Sequence, residues 1–187
     1  MIKEYIDIIE EVLDDTVNEL SEKSEEFVNE FFACYNIKYD EYYAYFLKKH
    51  GNDYIKEDYG YRYKGKTDDM KAGFYQFDIL FGLQEGIGNI QKEIRNQEQM
   101  ISNEYFPIAA MPGGDLVCMN KENGGIFFWF HEKNDNNMIF VADSFKELIM
   151  GIEKMERVDK KPKPIAFKID SAMDELLKEA AKKYKRS

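Results

Sequence analysis

The chain has 187 residues, of which 44% are hydrophobic and 33% charged, a balance that suits one globular domain with or without an appendage and excludes a collagenous or disordered polymer. Its formal net charge of −10 is carried unevenly: residues 1–60 are net −10, residues 61–153 net −5 and residues 154–187 net +5. An acidic body of this kind repels nucleic acid and anionic lipid and speeds encounter with a basic partner at low salt, although its plainest role is solubility.

From Tyr5 the apolar residues Tyr5, Ile9, Val12, Leu13, Val17 and Leu20 recur at spacings of three and four, with Glu4, Asp7, Glu11, Asp14, Asp15 and Asn18 between them. That spacing predicts an amphipathic helix with an acidic outer face. Ser21 or Ser24 can cap a second helix, striped by Phe27, Val28, Phe31 and Phe32, and Asp40 a third, with Tyr43, Phe46 and Leu47 inward and Gly51 at its end. Periodicity then fades, and only a short strand over 61–64 is predicted before the run 74–81 (FYQFDILF), whose alternation reads as one strand ending at Gly82. Ile87, Ile90, Ile94 and Ile101 predict a fourth helix over about residues 86–100.

Four strands follow at 105–110, 116–120, 126–131 and 138–142, joined by turns rich in Gly and Asn. Connections this short require antiparallel pairing, because a parallel return needs a crossover of about a dozen residues. Ser144 can cap a helix carrying Phe145, Leu148, Ile149 and Ile152. Past Met155, Pro162 and Pro164 exclude helix before an apolar segment at 165–169 and a last helix over 171–185.

The fold class is therefore α+β: N-terminal helices, then a mainly antiparallel sheet flanked by helices, and a C-terminal helical appendage. The predicted organisation is one domain over 1–153, with the helices of 1–34 packed on it, and a basic extension over 154–187. Predicted core residues are Phe77, Ile79, Ile108, Val117, Phe128, Phe140, Phe145 and Leu148.

No run of about 18 apolar residues occurs, and Met1-Ile2-Lys3-Glu4 opens into an acidic helical pattern rather than a signal sequence. The localisation expected is cytoplasmic. The sequence contains no GxSxG, no phosphate loop and no GxGxxG, so nothing in it argues for an enzyme or a cofactor. Cys34, Cys118, His50 and His131 have no metal-ligand spacing, and no metal site is expected from them. Both histidines read as solvated polar residues, and Cys118 as a small buried hydrophobe.

Several segments in order carry a wider pattern: Phe106-Pro107-Ile108-Ala109, then Gly113-Gly114-Asp115 leading into Leu116-Val117-Cys118-Met119. Next come Gly125-Ile126-Phe127-Phe128-Trp129 and Val141-Ala142-Asp143-Ser144-Phe145-Lys146-Glu147-Leu148-Ile149. Together with the helix over 39–51 (YDEYYAYFLKKHG) and Phe81-Gly82-Leu83, this resembles the SMI1/KNR4, or SUKH, superfamily over about residues 35–153. Gly51-Asn52 stands where the family has Asn-Gly, and the family's proline before the Asp-Tyr helix is missing.

The matching residues suit structural tasks. Gly113 and Gly114 permit a turn, Asp115 can accept from turn amides, Trp129 lies in the aromatic strand, Ser144 can cap a helix and Phe145 anchor it. The resemblance implies a non-catalytic protein binder. Bacterial members look like immunity proteins that neutralise a cognate polymorphic or contact-dependent toxin, often a nuclease and so a basic protein, while eukaryotic relatives are regulatory scaffolds. Neither nucleic acid nor membrane is implied as a partner.

The partner-binding surface is predicted at Asp53, Tyr54, Glu57, Asp58, Tyr59, Tyr61 and Tyr63, where aromatic rings and acids coincide with weak periodicity. The competing reading is that these tyrosines cover a sheet edge or helix ends and leave only hydroxyls in water. The acidic face of the first helix around Glu11, Asp14 and Asp15 is the next candidate.

Overall fold

A computed structural model of the chain describes residues 2–14, 22–65 and 70–155. Three helices come first: α1 (Ile2–Val12), α2 (Glu25–Cys34) and α3 (Glu41–Lys49). The Ser24 hydroxyl accepts from the Phe27 amide at 3.2 Å, and the Asp40 carboxylate accepts from the Tyr42 and Tyr43 amides at 3.0 and 2.7 Å, so both predicted caps operate. Lys48 and Lys49 lie in the last turn of α3, where the helix dipole favours cations.

The remaining elements are β1 (Asp53–Tyr54), β2 (Tyr59–Tyr63), β3 (Gly73–Tyr75), β4 (Ile79–Leu80), α4 (Ile90–Gln97), β5 (Tyr105–Ala110), β6 (Leu116–Asn120), β7 (Ile126–Trp129), β8 (Met138–Ala142), α5 (Phe145–Met150) and β9 (Ile152–Lys154). Six strands form one sheet in the order β1-β4-β5-β6-β7-β8, and three form a second in the order β3-β2-β9. Every strand pairing is antiparallel. The fold is α+β, as the turn lengths predict.

Phe106, Val117, Met119, Ile126 and Phe128 are fully buried in the large sheet, as are Tyr43, Phe46, Phe145, Leu148 and Ile149 on the helices. Tyr43 joins the two layers, its ring 4.8 Å from that of Phe145 and 6.1 Å from that of Phe106. Each large apolar side chain sealed in this way contributes about 1.5–3 kcal/mol. Burial also holds the Tyr43 hydroxyl proton well above its ordinary pKa. Cys118 is buried too, with its thiol pushed up for the same reason.

Several expectations need correction. The run 74–81 is not one strand: β3 belongs to the small sheet and β4 to the large one. Tyr75 pairs with Tyr61, the Asp78 amide donates to the Ala110 carbonyl at 2.9 Å, and Phe77 turns inward between them, stacked on Tyr61. The fourth helix begins at Ile90 and ends at Gln97, because Gly86 and Gly88 adopt positive φ and Asn89 is its cap. Ile152 pairs with Tyr61 in a strand and is not helical. Phe140 is 48% exposed, because β8 is the last strand of its sheet and Ile139 takes the inward position.

His50 is buried rather than solvated, its ring stacked on Phe46 at 5.7 Å where α3 ends. Asp115 serves the turn before it through its backbone and not its side chain: its carbonyl accepts from the Met111 amide at 2.8 Å, the Gly114 amide finds the Met111 carbonyl, and the Asp115 carboxylate accepts from the His131 amide at 3.1 Å. Val17, Leu20, Asp15 and the appendage over 156–187, with its predicted last helix, lie outside the described residues.

Candidate functional site

The segment 53–63 begins where α3 stops. Asp53 is 4% exposed: its Oδ2 accepts from the Gly51 amide at 3.1 Å and stands 3.5 Å from His50 Nδ1, while His50 Nε2 lies 3.7 Å from Glu10 of α1. Asn52, also buried, accepts from the Gly82 amide at 3.1 Å and donates to the Gln84 carbonyl at 2.9 Å. A Cβ on Gly82 would meet the Gly51 carbonyl oxygen at 2.1 Å, so only glycine permits this approach. The end of the Tyr39-to-Gly51 motif and the Phe81-Gly82-Leu83 motif thus interlock.

The chain next runs along the end of α1. Leu13 and Ile55 form an antiparallel bridge, the Asp14 amide donates to the Tyr54 carbonyl at 2.9 Å, and the Lys56 amide donates to the Val12 carbonyl at 3.0 Å. Tyr59 Oη donates to Glu11 Oε1 at 2.7 Å. This bond first, and burial second, pushes the Tyr59 hydroxyl up to about 12. Lys56 Nζ donates to the Glu11 carbonyl at 2.5 Å. Asp58 pairs with Lys154 at 3.3 Å, and its carbonyl accepts from the Met155 amide at 2.7 Å.

The seven predicted residues therefore divide. Tyr54, 39% exposed, and the exposed Glu57 face solvent, with Asp58 half-buried beside them. Tyr59, Tyr61 and Tyr63 are buried. The Tyr61 ring lies 5.8 Å from that of Phe128, its hydroxyl donates to the Val141 carbonyl at 2.6 Å, and the Tyr63 ring meets that of Tyr75 edge-on at 6.3 Å. What the structure brings together is the outward part of 54–58 and the α1 acids Glu11 and Asp14, two candidate surfaces that the sequence separates by some forty residues. Only the helical period of α1 pointed to Glu11; nothing local to Tyr59 does.

A polar cavity of about 690 Å³ lies elsewhere, lined by Asn36, Lys38, Asn103, Asn120, Lys121 and neighbouring residues. Sequence reading missed it, since its walls come from three separate turns. Lys121 Nζ donates to Asn103 Oδ1 at 2.8 Å, and burial lowers the lysine's pKa.

The motif residues have structural positions. Gly113 (φ 86°) and Gly114 (φ 98°) form the left-handed turn before β6, and Asp115 also bonds His131 Nδ1 at 2.8 Å. Trp129 is buried in β7, the Ser144 hydroxyl accepts from the Glu147 amide at 3.3 Å, and Phe145 is wholly buried among Tyr5, Tyr43 and Phe46. Residues 23–151, which contain all of these, match the SMI1 / KNR4 family (SUKH-1). The chain belongs to that family.

Over 126 residues it is also 32% identical to the SPbeta prophage-derived uncharacterized protein YokK of Bacillus subtilis (strain 168), covering 57% of this chain and 62% of that relative. The matched stretch is thus less than two thirds of the relative's length. In this SUKH-1 chain the motif residues close turns, cap helices and fill the core. Among the described residues no helix is long and apolar enough to cross a membrane.

Proposed function

We propose that this SUKH-1 chain is a non-catalytic, cytoplasmic immunity protein that binds a cognate toxin domain and neutralises it. The observation that supports the reading is the family match over 23–151, within which the motif residues sit in packing and capping positions and leave the acidic surface for recognition. The acids of residues 1–60 favour a basic partner, such as a nuclease, through faster encounter. Lys154 and Met155 belong to the binding domain, and the basic extension is the chain that follows them. The surface assigned is the outward part of 54–58 together with Glu11 and Asp14.

The test begins with the neighbouring genes. A gene encoding a toxin with a variable C-terminal domain is expected immediately upstream, and coexpression of this chain should restore growth to cells making that domain. If the domain kills regardless and does not bind the purified chain, the immunity reading falls and a regulatory scaffold with a cellular partner takes its place. Surface plasmon resonance at two ionic strengths then tests the surface. Glu57→Gln with Glu11→Gln should slow association and flatten its salt dependence, whereas Tyr54→Ala should mainly raise the dissociation rate.

A further inference from the structure

The strand β8 is the last of the six-stranded sheet, and among the described residues no strand pairs with its far edge. Its register with β7 sets Met138 opposite Trp129, Ile139 opposite Phe128 and Phe140 opposite Phe127, and the Phe130 amide donates to the Asn137 carbonyl at 2.8 Å. Bonded and unbonded pairs alternate in an antiparallel ladder. Asn137 and Ile139 therefore direct their peptide groups at β7, while Met138 and Phe140 direct theirs outward.

Edges of this kind are normally protected by charge, proline or a bulge. The stretch Met138-Ile139-Phe140 has neither charge nor proline, and the register irregularity comes only beyond Phe140. Next to the open edge, Phe140 meets Phe127 at 5.5 Å and Phe127 meets Tyr105 at 5.0 Å, giving a row of three rings. Past Phe140 the edge is closed, because the Val141 carbonyl accepts from the Tyr61 hydroxyl.

We propose that this edge accepts an extended, basic segment of another protein as an added strand. Met138 and Phe140 exchange backbone hydrogen bonds with it, and the rings of Phe140 and Phe127 cover its apolar side chains. Charge selects the occupant: Glu132, Asp135, Asp143 and Glu147 flank the strand against Lys133 and Lys146. The same charges oppose a second copy. Antiparallel self-pairing with Met138 opposite Phe140 would bring the Asp135 end of one edge to the Asp143 end of the other, between chains that each carry −10. The inference rests on the protein-binding reading and adds a place and a mode to it.

The probe is a soluble peptide of about ten residues alternating valine with lysine, set against one alternating valine with glutamate and titrated into the full chain while backbone amides are followed by NMR. The lysine peptide should shift the Met138 and Phe140 amides, with affinity at least about tenfold above that of the glutamate peptide. Phe140→Pro removes an outward N–H and one ring of the row while sparing the hydrogen bonds to β7, so it should abolish binding without breaking that ladder. Thermal unfolding checks that it folds. If it does not, Phe140→Lys takes its place, since it repels a basic segment, keeps the backbone and should likewise abolish binding.

No shift with either peptide, equal affinity for both, or a dimer in analytical ultracentrifugation that Phe140→Lys dissolves would each overturn the proposal. Toxin neutralised equally well by the Phe140→Lys chain would overturn the edge assignment and leave the immunity reading standing. Conversely, lysine peptide bound at the edge of a chain that neutralises no toxin would support the edge and remove the immunity reading.

Discussion

The Tyr59 hydroxyl donates to the Glu11 carboxylate at 2.7 Å, tying β2 to the solvent side of α1 across 48 residues of chain. Because Glu11 is exposed, water screens the bond, and its loss in Tyr59→Phe should cost about 1 kcal/mol. The hydroxyl's pKa is raised in the folded chain to about 12 from an ordinary 10.0, so the contribution is complete below pH 10 and disappears as pH rises through 12. Urea unfolding of the two proteins at a series of pH values should show their difference shrinking across that window. A constant difference would mean that the lost packing, and not the hydrogen bond, sets it.

Gly82→Ala should be among the most damaging small substitutions, at about 3 kcal/mol or more, since its methyl group would enter the space of the Gly51 carbonyl. Gly113→Ala meets no atom within 4 Å but must hold φ at 86°, which costs about 1–2 kcal/mol. Chemical denaturation should show the larger loss of free energy for Gly82→Ala. Equal losses would contradict the interlock between the two motifs.

Caps should rank by the bonds they make. Asp40 accepts from two amides at 3.0 and 2.7 Å, and Ser144 from one at 3.3 Å. Asp40→Ala is expected near 2 kcal/mol and Ser144→Ala near 0.5–1 kcal/mol, the upper and lower parts of the usual range of about 0.5–2 kcal/mol. Thermal melting should place the Asp40 variant lower.

Phe128→Ala should cost about 3–5 kcal/mol, for it empties the space between Tyr61, Tyr75 and Phe77. Phe140→Ser, one position from the end of the neighbouring strand's pairing, should cost well under half of that, because nearly half of the ring is already in water. Denaturant midpoints of the two variants are enough to check the order.

Among the described residues, the five helices and the meander from Tyr105 to Ala142 were legible because each has its own short-range signal: apolar spacing, a side-chain cap, or a glycine turn between alternating runs. Phe74 to Phe81 was not, since its alternation is that of a single strand while Tyr61 and Ala110 draw its two ends into different sheets. Phe140 was misplaced for a related reason. Alternation says which residues share a face, and only the strand order says that β8 is an edge. At the candidate site the same limit applied: Tyr59, Tyr61 and Tyr63 stand in a polar stretch, and their burial depends on Glu11, Phe128 and Tyr75, none of them near in sequence.

The pairing of β2 with β9 has a consequence for synthesis. Arg62 meets Glu153 across 91 residues, and Tyr61 aligns with Ile152. While the chain is being made, β2 emerges early and can pair only with β3 until Lys154 has left the ribosome, so the middle strand of the small sheet waits with one flank bare. Loop closure of that length is slow compared with helix or hairpin formation. The three residues of β9 thus act as the clasp of the domain, and translation stalled before Ile152 would release a chain whose large sheet can assemble but whose β2 keeps one flank of backbone groups open to water and to other chains.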